Sequence, residues 1–318
     1  MPKENTLYYI ILIIPLFVAF LVVITLILLV GGYWIPAVTV LLIAFLINRR
    51  TEAFALNFRS SQNSERGKIA LKVLTYNLNR AYSTSVNNGS EQDVLNLVNE
   101  QEADIVLLQE FNPTLYSEIN EGLKKNYPYG TLNDEGNRFK SVFSRYPISD
   151  YHQLTSNGEI QPICVMKVEV NGRTCYIVTC HLMSNNFSVA CREIKDQGLR
   201  MIAGIKKVNH SIRQGCAIRR QQTEVLLDYL KEIDDPVLIC GDFNDVAKSV
   251  TLQKFGKDGF SDAWWNRGFG YGFTYWGMKM RFRLDHILYN EQVTPCWIRV
   301  IHSNLSDHRP LVASFSIE

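Results

Sequence analysis

The chain has 318 residues, 47% of them hydrophobic and 20% charged, enough for one large domain with an appendage or for two ordinary domains. Its formal charge of +2 marks no class of charged partner. Seven cysteines, odd in number and without a CxxC pair, exclude a disulfide framework and a cysteine metal cluster, and read as small buried hydrophobes.

Residues 7–48 contain no Asp, Glu, Lys or Arg. Tyr8 to Val30 is an apolar run of 23 residues, roughly 35 Å as a helix and long enough to cross a bilayer. Gly31-Gly32 breaks the run, and residues 33–48 form a second apolar segment of about 24 Å, which spans only if its flanks snorkel. The pattern predicts a transmembrane hairpin over residues 1–50, with spans at about 8–30 and 33–48. Tyr8, Tyr9, Tyr33 and Trp34 fall where amphipathic rings settle at membrane interfaces. A cleaved signal peptide is the competing reading, but the apolar core is too long and no small-residue cleavage site follows it. Lys3 precedes the hairpin and Arg49, Arg50, Arg59, Arg66 and Lys68 follow it, so the positive-inside rule predicts an inner (cytoplasmic) membrane protein with both ends in the cytoplasm.

Residues 51–68, rich in Ser, Asn and charge, read as a linker, and residues 69–318 as one domain. Ile69 to Asn77 is a β-rich run ending in a polar residue. Residues 90–101 carry Val94, Leu95, Leu97 and Val98 on helical spacing after Ser90, an N-cap with Asp93 at the capping-box position. Ala103 to Glu110, Ser141 to Arg145 and Thr174 to His181 repeat the theme of an apolar strand with a polar tip. From Asn185 to Gln222 eight Lys or Arg face two acids, which reads as a basic helix with a solvated face. The same excess would attract a polyanion or an anionic bilayer. Val237 to Cys240 has the length and β-branched content of a strand covered on both faces, and Gly241-Asp242-Phe243-Asn244 follows. Arg281 to Tyr289 reads as a strand with Asp285 inside it, and Ser306 to Ala313 closes the series.

Asn77, Glu110, His181, Asp242 with Asn244, Asp285, and Asp307-His308 thus stand at or within strands, where polar side chains are costly. Taken singly each has a plain explanation. Gly-Asp-x-Asn is also an Asx turn before a helix, a lone His is more often structural, and Asp285 could pair with Arg281 or Arg283. Together and in this order they ask for another account.

The motifs Thr75-Tyr76-Asn77-Leu78-Asn79, Leu108-Gln109-Glu110, Ser144-Arg145-Tyr146-Pro147, Thr179-Cys180-His181-Leu182, Gly241-Asp242-Phe243-Asn244, Arg283-Leu284-Asp285-His286-Ile287 and Ser306-Asp307-His308-Arg309-Pro310 resemble the endonuclease/exonuclease/phosphatase, or deoxyribonuclease I-like, superfamily over residues 69–318. The hairpin before them looks like its bacterial integral-membrane branch. The resemblance implies an α/β (α+β) fold, a four-layer αββα sandwich of the deoxyribonuclease I-like type behind an N-terminal transmembrane helical hairpin. It implies a metal-dependent phosphoester hydrolase. Glu110 resembles the family's metal ligand, with Asn77 and Asp307 as supporting donors for Mg²⁺, or Mn²⁺ in its place; hard oxygen donors suit such ions. Asp242 would activate the water and Asn244 donate to the oxyanion. His308, held by Asp285, and His181 would contact the phosphate, and Arg145 is a further phosphate candidate. Asn79 departs from the aspartate of the repair endonucleases, which argues against abasic-site repair.

The leading expectation is a membrane-tethered phosphodiesterase acting as a nuclease, with nucleic acid or another phosphodiester as substrate, the bilayer as partner through the hairpin, and no protein partner. The alternative is a phospholipid or phosphoinositide-type phosphodiesterase or phosphatase at the membrane surface, which the tether favours. The aromatic stretch Trp264-Trp265 through Phe269 to Trp276 could dip into a membrane, stack on bases or pack near the cleft. A non-catalytic scaffold predicts missing catalytic residues, and none of the principal set is missing.

Overall fold

The computed structural model describes residues 2–57, 69–79, 89–113, 116–131, 140–155, 163–185, 201–277 and 281–317. The predicted linker after residue 57 and the basic segment before residue 201, with Arg59, Arg66, Lys68, Cys191, Arg192, Lys195 and Arg200, lie outside the described residues. In chain order the elements begin with α1 (Pro2–Val30), α2 (Trp34–Thr51), β1 (Ala55–Leu56), β2 (Ile69–Asn77), α3 (Glu91–Asn99), β3 (Ile105–Gln109), α4 (Ser117–Asn126), β4 (Tyr129–Thr131) and β5 (Lys140–Ser144). They continue with β6 (Ile148–Leu154), β7 (Ile163–Val170), β8 (Arg173–His181), α5 (Met201–Leu230), β9 (Val237–Asp242), α6 (Val250–Lys257) and β10 (Ser261–Asp262). The last are α7 (Ala263–Arg267), β11 (Phe269–Gly270), β12 (Asp285–Tyr289), β13 (Val293–Val300) and β14 (Leu311–Ile317).

Two six-stranded sheets, ordered β13-β14-β2-β3-β5-β4 and β10-β12-β9-β8-β7-β6, pack face to face. Each has a parallel pair at its centre, β2 with β3 and β8 with β9, flanked by antiparallel neighbours. Strand alternation sorts the side chains. Leu71, Val73, Ile105 and Leu107 meet Ile177, Leu238 and Cys240 between the sheets. Their neighbours Leu74, Tyr76, Val106 and Leu108 turn outward against Val94, Val98, Ile119 and Leu123 of α3 and α4. On the second sheet Val178 and Ile239 meet Leu226 and Leu230 of α5 and Phe255 of α6. Burying each such aliphatic contributes about 1.5–3 kcal/mol, so the central strands are held from both sides. The result is the αββα sandwich expected from the sequence. The predicted capping box is present, with the Ser90 backbone N–H and hydroxyl donating to the Asp93 carboxylate and the Asp93 N–H to the Ser90 hydroxyl.

The N-terminal hairpin differs from the sandwich in what it buries. α1 and α2 are long and apolar enough to cross a membrane. Leu16, Phe20, Ile27, Ile35 and Leu42 are exposed, where a core helix would cover them. The predicted linker is corrected at its start. Ala53 and Ala55 are buried, Ala55 within the core between the sheets, and β1 pairs with β11. Residues 52–57 are therefore part of the domain. Arg281 to Leu284 precede β12, so Asp285 opens that strand instead of lying inside it.

Candidate active site

Parallel strands deliver their C-terminal ends to one side of a sheet, and the central pairs bring the predicted residues together there. Asn77 ends β2 and Glu110 follows β3, while His181 lies opposite Asp242 at the ends of β8 and β9. β12 runs antiparallel to β9 and begins at this same edge, with Asp285 opposite Asp242. His308 enters from the loop before β14. Gln109 ties the two sheets beneath the site, its Nε2 donating to the hydroxyls of Thr75 at 3.0 Å and Thr179 at 3.3 Å.

Local backbone geometry aims these side chains. Glu110 and Asn244 have φ of 53° and 49°, an uncommon state for residues with a Cβ, and they turn the chain where their strands stop. Strand geometry does not persist to Asn244, yet its side chain returns to Asp242 through the turn. Gly241 has φ of 137°, and a Cβ there would collide with the Cys180 carbonyl on the neighbouring strand. Gly241→Ala is expected to lower stability by at least about 2–3 kcal/mol and to reduce turnover. Urea unfolding and a steady-state assay on the same preparation check both.

Asp242 is the hub. Its Oδ1 accepts the Asn244 backbone N–H at 2.8 Å, and its Oδ2 accepts Asn77 Nδ2 at 3.0 Å and Asn244 Nδ2 at 3.3 Å. His181 Nε2 and His308 Nε2 each lie 3.7 Å from the same Oδ2. Glu110 Oε1 is 3.5 Å from His181 Nε2 and 3.4 Å from Asn77 Nδ2. Asn244 Nδ2 also donates to the Leu182 carbonyl at 2.9 Å, which fixes the amide against the strand end. Burial pushes the Asp242 carboxyl up to about 7; nearby His308 opposes this and Asp285 adds to it. A carboxyl near 7 can both take and release a proton at neutral pH.

His308 Nδ1 is 2.8 Å from Asp285 Oδ2, and Asp285 is itself positioned by its backbone N–H bond to the buried Thr274 hydroxyl at 3.0 Å. Burial works against charge on His308, but Asp285 and Asp242 outweigh it and raise the imidazole to about 10. The Tyr275 ring packs 5.0 Å from His308. The aromatic stretch therefore supplies a wall of the cleft at Tyr275, while Trp264 is buried in the core.

A divalent ion has two candidate places. Asp242, Asp285 and His308 bring ligand atoms within 4.8 Å of one another. That grouping reads better as an imidazolium between two carboxylates, since a protonated ring has no lone pair to offer. Glu110, partly exposed beside Asn77, offers the hard oxygen donors that suit Mg²⁺. Asp307 stays on the rim, with Oδ1 3.4 Å from the Ser306 hydroxyl. Arg145 is not at the site. Its backbone pairs with Asp104 at the opposite end of β3, its guanidinium lies 3.7 Å from the Asp104 carboxylate, and it covers the Tyr127 ring at 5.4 Å. Five residues of strand, roughly 17 Å, separate it from Glu110.

Two buried networks escaped the sequence reading. Asp245 accepts Arg219 Nε at 3.2 Å and the Thr251 hydroxyl at 2.8 Å, and Arg219 also donates to the Met183 carbonyl at 2.7 Å. This joins the loops that follow His181 and Asp242. Behind them, Asp262 Oδ2 lies 2.6 Å from Arg283 Nη1 and 2.9 Å from His286 Nδ1, so Arg283 pairs with Asp262 and leaves Asp285 to His308. Burial alone would raise Asp262, but Arg283 and His286 hold its carboxyl well below the usual range. A depressed folded pKa contributes stability that is present above about pH 4 and lost as pH falls below it. Asp262→Asn is accordingly expected to lower the urea midpoint at pH 7, by a margin that shrinks steadily below pH 4.

The family described as Endonuclease/Exonuclease/phosphatase matches residues 74–308. No curated protein matches the chain. Among solved structures, an endonuclease/exonuclease/phosphatase from Bacteroides vulgatus aligns with a TM-score of 0.60 at 16% identity, covering 79% of this chain and 100% of that one. TDP2 of D. rerio complexed with single strand DNA product aligns with a TM-score of 0.56 at 18% identity, covering 77% and 98%. The human nocturnin catalytic domain with bound sulfate anion aligns with a TM-score of 0.56 at 18% identity, covering 78% and 95%. At these identities the likeness is one of fold.

Proposed function

The chain belongs to the endonuclease/exonuclease/phosphatase family, whose members hydrolyse phosphoester bonds, and on that footing we propose that it is a membrane-anchored, divalent-metal-dependent phosphodiester hydrolase. The observation that carries the proposal is the convergence on Asp242 of Asn77, Asn244, His181 and His308 at one edge of both sheets. Asp242 takes the proton of the attacking water, and its burial gives it the basicity to do so. His308, held charged by Asp285, contacts a phosphate oxygen, and His181 steadies the phosphate or the leaving oxygen from the other wall. The Asn244 amide turns to the developing oxyanion. Glu110 with Asn77, and Asp307 on the rim, are the donors that would hold Mg²⁺ or Mn²⁺, which when bound polarises the phosphoryl oxygens.

In this reading α1 and α2 anchor the chain, and Arg49 and Arg50 at the end of α2 favour, by the positive-inside rule, a catalytic domain on the cytoplasmic side of an inner membrane. Protease added outside the inner membrane of intact cells should leave the domain whole. The single-strand DNA product held by the D. rerio neighbour supports a nuclease reading. The junction at residues 52–57 supports the lipid alternative. Full-length protein in detergent, given Mg²⁺ and offered plasmid DNA, RNA, anionic lipid vesicles and bis(p-nitrophenyl) phosphate, tests the proposal. Hydrolysis of at least one of these, abolished by chelation, is expected; turnover that survives chelation sinks the metal-dependent mechanism.

A further inference from the structure

We infer that the ribbon of β1 and β11, together with Arg281 and Arg309, forms a face of the catalytic domain that binds anionic lipid headgroups of the bilayer holding the hairpin. The inference rests on the anchored reading above and names a partner for the catalytic domain itself. It starts from the rigidity of the junction. Glu52 closes α2 at φ of 52°, and the Asn48 side chain grips both the N–H and the carbonyl of Phe54 at 2.8 Å. Asn57 Nδ2 donates to the Trp265 and Gly268 carbonyls at 2.9 and 3.0 Å, and Lys248 Nζ meets Glu52 at 2.6 Å. Six residues fastened at both ends tie the domain closely to the end of the hairpin.

What this junction presents suits a lipid surface. Leu56 and Phe269 are cross-strand partners and are 53% and 59% exposed, an apolar pair on the first ribbon after the hairpin. Beside it the Phe54 ring lies 5.8 Å from Tyr271, whose hydroxyl donates to the Arg281 carbonyl at 3.0 Å. Arg281 and Arg309 both sit on the Phe273 ring, at 5.1 and 4.2 Å. Neither has an ion pair among the described residues, and the buried Arg309 Nε has no hydrogen-bond partner there. Two like charges crowded on one ring without a carboxylate are relieved by an external anion. Nucleic acid would also supply phosphates, but the exposed aliphatic and aromatic pair Leu56–Phe269, on the ribbon that follows the hairpin, favours lipid.

Full-length protein carrying the photoreactive p-benzoylphenylalanine in place of Phe269, or of Glu121 on α4 as control, would be reconstituted in nanodiscs of phosphatidylcholine with or without about one-third phosphatidylglycerol, a content that gives a strongly anionic surface. Lipid adducts at position 269 should exceed those at 121 by at least about fivefold and favour phosphatidylglycerol, and Arg281→Ala with Arg309→Ala should remove that preference. Equal adducts at the two positions, or a preference unchanged by the double substitution, overturns the inference. Loss of the adducts to excess single-stranded oligonucleotide overturns it in favour of nucleic acid. The readout needs no turnover, so it can fail while bis(p-nitrophenyl) phosphate is still hydrolysed, and the reverse outcome would fault the hydrolase proposal alone.

Discussion

Asp242→Asn is expected to lower kcat by about a thousandfold or more while KM changes little. The side chain keeps its size, so the buried strand end keeps its packing, but the proton acceptor is gone. The amide also meets donors on both sides. Asn77 Nδ2, Asn244 Nδ2 and the Asn244 N–H all point at the present carboxylate, and only one oxygen remains to accept them. That mismatch costs about 1–2 kcal/mol. Removing a carboxylate that burial holds in an unfavourable charged state works the other way, so the melting temperature should stay within a few degrees of the parent. His308 provides an internal check. One of the three carboxylates that raise it is lost, so its titration, followed by NMR, should move down toward the ordinary imidazole range. Steady-state kinetics with a thermal melt separates this outcome from simple misfolding.

The second large effect concerns stability. Arg219 is fully buried and pairs with the equally buried Asp245. Arg219→Met leaves a carboxylate with the Thr251 hydroxyl and the Val246 N–H but no counter-charge, and it releases the Met183 carbonyl and the Asn185 side chain. The expected loss is about 3–5 kcal/mol, because the charge that remains has been taken out of water without compensation. Replacing both partners, Arg219→Met with Asp245→Leu, should recover a large part of that loss, since no lone charge is then buried. A double-mutant cycle on urea midpoints in detergent measures the difference. If the two single losses simply add, the pair is not coupled as the geometry requires. Turnover should drop in the single variants as well, for the pair holds together the loops that carry His181 and Asp242 to the cleft.

The sequence made the site legible where an apolar strand ended in a polar residue. Asn77, Glu110, His181 and Asp242 stand at such ends, and the parallel central strands explain why they share one edge. Arg145 fits the same pattern and misleads, because β5 runs antiparallel to β3 and carries its end to the other side of the sheet. Strand direction is set by pairing, which local pattern does not reveal. The basic segment that contains Arg219 predicts a solvated face. Its spacing told otherwise, since Arg219, Gln222, Thr223, Leu226 and Leu230 are buried at steps of three and four residues, so Arg219 sits on the apolar stripe of α5. Asp245, Asp262 and His286 gave no comparable signal. Their partners lie tens of residues away, and only folding brings them together. The junction after α2 was hidden in another way, because two alanines and a two-residue strand look like a linker until β11 is found beside them.

The measurement that bears most directly on the mechanism is hydrolysis of bis(p-nitrophenyl) phosphate by the full-length protein with Mg²⁺ in water enriched in heavy oxygen. If, as proposed, a water activated at Asp242 attacks phosphorus, the label should appear in the phosphate monoester and not in the nitrophenol, and Asp242→Asn should abolish its incorporation. Label in the nitrophenol, or undiminished labelled monoester from Asp242→Asn, would contradict the account.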